Sequence, residues 1–276
     1  MTVDTVSCLK SPKELLIASR KYASENVWVS LWHVISTTIV WLALVVAVFS
    51  LESMQWKMVT SIVLGLVHVR LFVIYHDYQH GAILKNSKFI RAYMFVFGLL
   101  TLSPPSVWKR SHNHHHKNNA KLYGASIGSY PVMTTKDYAE APFLRRIQYR
   151  LARHPLFIGL GYVTVFFLGM CIRPLFLNPK RHWDAVLSVI VHAAIYVGLA
   201  MTNNPSDIVY VMVIPMAIAA GMGSYLFYAQ HNFPSVELKV GREWTHVQAA
   251  LKSSSYIRMS RLFHWFTANI GYHHIH

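Results

Sequence analysis

Residues 56–80 read WKMVTSIVLGLVHVRLFVIYHDYQH. The first part, residues 56–75, is apolar but for a few groups such as Lys57, His68 and Arg70. A helix rises about 1.5 Å per residue, so about 20 residues of this kind cross a hydrocarbon core of about 30 Å. The run then ends in His76-Asp77-Tyr78-Gln79-His80. On a helix, imidazoles four residues apart share a face. The stretch therefore reads as a membrane span that delivers a histidine pair to one surface. Composition agrees, with 54% hydrophobic and only 13% charged residues in 276, against about 25% charged in a soluble domain.

Working outward, residues 27–51 form another candidate span, and the short turn ESMQWK makes the two a hairpin. Residues 89–102 are too short to span comfortably, end in Ser103-Pro104-Pro105 and have basic residues on both sides. That pattern predicts a segment that dips in and returns. Residues 155–176 are long enough to span, but NPKRHWD follows, with Lys180 and Arg181. Reading them as re-entrant or interfacial keeps every histidine-rich stretch on one side. Residues 184–201 and 208–228 then form a second hairpin across TNNPSD. The expected fold is an all-α integral membrane protein of about four transmembrane helices in two hairpins. Re-entrant or interfacial helices and a histidine-rich cap on the cytoplasmic face complete it. Residues 1–26 read as an N-terminal cytoplasmic tail and residues 27–276 as one membrane domain.

Lys plus Arg number 26 against 11 Asp plus Glu, a net charge of +15. No finger, basic zipper or aromatic RNA motif accompanies that charge, so no nucleic-acid partner is expected. Retention of Lys and Arg on the cytoplasmic side of a membrane accounts for it. Residues 76–154 are especially basic, with Lys85, Arg91, Lys109, Arg110, Arg145, Arg150 and Arg153 among them. Cys8 lies in the tail and Cys171 in an apolar segment, so no disulfide framework is implied.

The histidines form a constellation. His112, His115 and His116 in SHNHHHKNN stand at i, i+3 and i+4, His273 and His276 repeat the three-residue step, and His231 lies just past the last span. A run such as residues 111–119 can be a purification tag, a metal-buffering loop or part of a built metal site. Its internal position argues against a tag. Imidazole suits first-row transition metals, and several groups ending on one membrane face favour a metal centre. The bland reading covers His33, His68 and His192 as packing or interfacial groups within spans. His114 and His274 are off the shared spacing. Soluble di-iron bundles use paired Glu and Glu-x-x-His; no Glu-x-x-His occurs here. A dinuclear centre would be nearly all imidazole, with Asp77 outside the ligand set as an acceptor that orients a ring. Asn113 is assigned the same supporting role.

HDYQHGA, PPSVWKRSHNHHH, YAQHNFP and SSSY followed by WFTANIGYHHIH together resemble the membrane fatty acid desaturase superfamily, and in particular its bacterial acyl-lipid branch. The likeness runs over nearly the whole chain after about residue 30. It implies a non-haem centre of two Fe, ligated by His76, His80, His112, His115, His116, His231, His273 and His276, with O2 as co-substrate. It also implies desaturation of membrane-lipid acyl chains of the internal Δ12 or ω-3 kind. Electrons would come from ferredoxin or cytochrome b5 with its reductase, and the location would be a bacterial inner membrane. The family's third box is HxxHH, and this chain stops before the closing His, so a truncation within that box is expected. A hydroxylase or ketolase on the same scaffold is the alternative enzyme, and a metal transporter with a His-rich loop the non-enzyme alternative.

Overall fold

A computed structural model describes residues 11–124, 127–202 and 204–275. His276, Cys8 and most of the tail's first half lie outside the described residues. Helix α1 (Pro12–Ser19) begins with a capping box between Ser11 and Glu14. Helix α2 (Val27–Ser50) is capped by Asn26, whose Oδ1 accepts from the Trp28 and Val29 amides. A tight turn leads into α3 (Met54–Gln79), which makes the first hairpin. Helices α4 (Lys88–Leu100) and α5 (Pro105–Asn118) follow, bent 89° to each other. Short helices α6 (Thr135–Glu140), α7 (Phe143–Ala152) and α8 (Pro155–Gly159) come next. A π-helical segment, Tyr162–Ile172, runs into α9 (Arg173–Leu177). Helix α10 (Trp183–Ala200) pairs with a π-helical turn, Ile208–Val213, that continues as α11 (Ile214–His231). Helices α12 (His246–Lys252) and α13 (Arg261–Phe266) and a last 3-10 turn, Ile270–Ile275, end the described chain. Among the described residues there is no strand, only an isolated bridge between Lys121 and Lys239.

Among the described residues four helices are long and apolar enough to cross a membrane: Val27–Ser50, Met54–Gln79, Trp183–Ala200 and Ile208–His231. They are the expected spans in the expected order. The helix Tyr162–Leu177 is shorter than these four. Helix α3 is the central post, with 61% of its apolar window buried against 17% for α2, which turns Trp28, Trp32 and Val46 outward. In water such a surface would be an aggregation hazard; against acyl chains it is the solvated face.

Helix α3 and α11 approach closely at Gly65. A Cβ there would sit 2.8 Å from Ile218 Cβ, so only a glycine lets the two backbones pack. At one end of this pair Lys57 Nζ meets Asp207 Oδ1 at 2.5 Å, both side chains buried. In mid-span Arg70 reaches Thr37 Oγ1 and His33 Nδ1, each at 3.1 Å, donates to the Trp265 carbonyl, and lies over the Trp265 ring. A charge inside a membrane helix is tolerated where donors are satisfied this way.

The break between α4 and α5 follows from three features. Pro104 and Pro105 cannot continue a helix from α4, and Leu102 takes a positive φ of 52°. Tyr75 Oη, fully buried, donates to the Ser103 carbonyl at 2.9 Å. Asp184 then fixes the start of α5, accepting the Ser106 amide at 2.8 Å and the Ser106 hydroxyl at 2.6 Å. The turned-back α5 thus lies across the ends of α3 and α11.

Candidate metal centre

Four elements bring histidines to the same place. Helix α3 carries His76 into its last turn, with His80 as its C-cap. Helix α5 brings His112, His115 and His116 across that end, and α11 terminates at His231. The final turn adds His273. The side chains collect into two groups. In the first, His76, His80, His112 and His116 place one ring nitrogen each within 4.8 Å of one another; in the second, His115, His231 and His273 do the same.

The contacts sort α5 in a way that sequence periodicity does not. At about 100° per residue, His115 and His116 stand about 60° to one side and about 40° to the other of His112, so helix geometry alone leaves their partners open. His112 Nε2 is 2.9 Å from His80 Nε2 and 3.0 Å from His116 Nε2. His115 Nε2 faces away, 3.0 Å from His231 Nε2, which is 2.9 Å from His273 Nε2. The i, i+3, i+4 run of α5 is therefore a ridge between two groups. The groups adjoin, with His112 and His115 ring centroids 5.8 Å apart and those of His116 and His273 6.4 Å apart.

The opposite ring nitrogens explain what these rings are prepared to hold. His231 Nδ1 lies 3.0 Å from the Ser253 carbonyl, which can only accept, so Nδ1 carries the proton. In the neutral ring Nε2 is then a bare lone pair aimed at two other imidazoles. His76 Nδ1 lies 3.0 Å from Asp77 Oδ1, the same arrangement with a carboxylate. His115 Nδ1 lies 2.8 Å from Ser129 Oγ. Imidazoles oriented through their outer nitrogen are the usual surroundings of a bound metal. Burial holds His112 well below the ordinary imidazole range, and the neighbouring rings of His76, His116, His115 and His80 push it the same way. Burial also lowers His80, partly opposed by the Asp77 charge. Both rings are thus neutral with lone pairs available near pH 7. With metal–imidazole bonds of about 2.0–2.1 Å, adjacent ligands at right angles stand about 2.9 Å apart, so the donor set fits metal ions.

His276 lies outside the described residues. Asn113 stands exposed on the outer face of α5, where it lines a cavity beside His80. His114 turns out to the Gly124 carbonyl, 3.1 Å away. His33 is exposed on α2 and bonds to Arg70, while His68 accepts from Trp41 Nε1 at 3.2 Å, both away from the two groups. Ser129, Ser253 and Trp108, which stacks on His112 at 4.2 Å, are participants that sequence reading missed. So is His246, which borders a small space with His115, His116 and His273. Trp108 and Ser253 lie within quoted motifs, but their partners are set by contacts made across the fold.

The class defined at this point is a helical membrane protein with a histidine-rich, metal-competent cap. Residues 54–276 match the fatty acid desaturase family, and the chain belongs to that family. It is 30% identical over 209 residues to a fatty acid desaturase of Bacillus subtilis (strain 168), an overlap of 75% of this chain and 59% of the relative. It is 24% identical over 231 residues to an omega-3 fatty acid desaturase, endoplasmic reticulum, of Vigna radiata var. radiata, covering 77% of this chain and 57% of that one. The chain thus spans less than two thirds of the length of the curated relatives it matches.

Proposed function

We propose that this chain carries the catalytic core of an O2-dependent desaturase that introduces a double bond into membrane-lipid acyl chains. The observation that carries the reading is the convergence of seven buried or half-buried imidazoles into two adjoining groups at one end of a membrane bundle. Family membership supports the same reading. Removing hydrogen from unactivated methylenes is beyond any amino-acid side chain, so two irons held by these groups would supply the oxidising power drawn from O2.

The residues have separable roles. His76, His80, His112 and His116 would hold one ion and His115, His231 and His273 the other, with His276 added to the ligand set by family likeness. Asp77 and the Ser253 carbonyl keep the His76 and His231 rings in the tautomer whose Nε2 carries the lone pair that would ligate. Trp108 stacks against His112 and fixes its ring plane. The spans keep the acyl chain in an apolar setting beneath the cap.

Orientation follows from charge. The basic residues of 76–154 support a cytoplasmic cap, and the same basic surface suits an acidic electron donor such as ferredoxin or cytochrome b5. We assign the regiochemistry to the internal Δ12 or ω-3 type, with the omega-3 relative in support. The test is the acyl-chain profile of a host expressing the chain extended to the length of its relatives, under 18O2. A new internal double bond without retained label is expected. Label retained on carbon would assign hydroxylation, and exchangeable zinc in place of two irons would assign metal transport.

A further inference from the structure

A cavity of about 610 Å3 opens beside the first histidine group, and His80 is part of its wall. Its size is that of a site for a small organic ligand. Lys85, from the loop after α3, Arg91, from the first turn of α4, and Lys109, from α5, all line it. Among the described residues no acidic side chain does. Three acids on or near these elements have partners of their own: Glu25 Oε1 accepts the Leu84 amide at 2.7 Å, Asp184 caps α5 through Ser106, and Asp77 bonds to His76. The first amide of α5 is thus already taken, so an anion here would be held by side chains. Three cations in one concave wall focus a positive field inside it.

The cavity also straddles two solvents. Arg91 and Phe95 stand one turn apart on α4, so the floor passes from cationic to aromatic along one helix. Tyr78 and Gln79, at the end of the α3 span, form another side. The cavity therefore sits where a membrane span gives way to the polar cap, at the depth of lipid headgroups. Arg and Lys are the side chains that bind phosphate most strongly, Arg through paired donors, and basic pockets at the ends of spans hold anionic headgroups.

We propose that this cavity is a phosphate-binding site for the headgroup of the glycerophospholipid whose acyl chain is the substrate. The proposal rests on the acyl-lipid reading above and adds which part of the lipid is gripped and by which residues. Arg91 and Lys109 hold the phosphodiester oxygens, with Lys85 at the loop side. The glycerol backbone lies toward Phe95, and the shared His80 wall joins the headgroup site to the metal cap. Lipids with the same acyl chains and no phosphate lose this anchor.

The test uses the full metal-loaded chain in an uncharged detergent, with dihexanoyl phosphatidylglycerol as probe and titration calorimetry as readout. Arg91→Gln with Lys109→Gln is expected to weaken probe binding about tenfold or more, the loss of charge-assisted bonds to phosphate. Dihexanoylglycerol, which has no phosphate, is expected to bind both proteins equally. Metal content reports folding; if the double variant fails to hold metal, Lys85→Gln and Lys109→Gln separately carry the same comparison. Equal probe affinity in wild type and variants overturns the proposal. Inorganic phosphate or coenzyme A binding as tightly as the probe, with the same dependence on Arg91 and Lys109, also overturns it in favour of a free anion or a thioester carrier. A chain that makes no double bond but binds the probe this way loses the desaturase reading and keeps the site. A desaturase indifferent to these residues keeps the reading and loses the site.

Discussion

The two histidine groups are built in opposite ways. His76, His80, His112 and His116 come from two helices whose contacting residues His80 and His112 stand 32 positions apart. His115, His231 and His273 come from three elements, with 116 positions between the first two and 42 between the last two. The first group is braced at its base by Tyr75, Trp108 and the fixed bend before α5. The second depends on how α11 and the final turn come to rest against α5. The first group is set by two helices close in the chain, whereas the second is set by contacts between distant segments, His231 on the Ser253 carbonyl and His115 on Ser129 among them.

The sharpest break of that contrast is His112→Ala against His231→Ala. His112 touches both His80 and His116. Its loss is expected to reduce double-bond formation by at least about 100-fold, because changes merely outside the ligand set already reach 10–100-fold. Iron analysis separates the groups: with one ion assigned to each group, as proposed above, His231→Ala is expected to retain about half the metal. Loss of all metal in His231→Ala would mean that the groups load as one unit.

Asp77→Asn removes the charge that orients His76 but keeps its shape. Activity is expected to fall about 10–100-fold with the protein still folded. An unchanged rate would make Asp77 a bystander. Chelation gives a subtler contrast, read by hydrogen exchange. Amides of residues 257–275 are expected to lose protection when metal is removed, while those of α3 hold theirs, because an ion bound by the second group would tie residues 270–275 to α5 and α11. Equal loosening of both regions would erase the distinction. The smallest effect at the cap is expected from Lys57→Met. Stranding buried Asp207 should destabilise the bundle by about 3–5 kcal/mol, seen as faster thermal inactivation, with no change in metal stoichiometry. A change in stoichiometry would couple the far end of the spans to the cap.

The contrast also separates what was legible in the sequence. Apolar length located the four spans, and i, i+4 spacing found His76 with His80. Proline pairs and flanking charge found the bend between α4 and α5, because backbone restriction is local. Periodicity could not say that His115 parts from His112 and His116, since that depends on α11 arriving on the far side of α5. Ser129 and Ser253 were invisible for the same reason, as hydroxyls and carbonyls become partners only through the fold. The charges within and beside the spans were visible as anomalies, but the bond from Lys57 to Asp207 spans 150 positions that no pattern connects.

The separation of His115 from His231 sets an order of events during synthesis. At about 5–20 residues per second, the 116 intervening positions take roughly 6 to 23 s to make, and the 42 up to His273 a further roughly 2 to 8 s. The first group can therefore be seated at the membrane surface while His115, one step along the same helix, still waits for its partners. During that interval the nascent cap presents a four-histidine group beside an unfinished one, so the two groups come into being in two different shapes of the same protein.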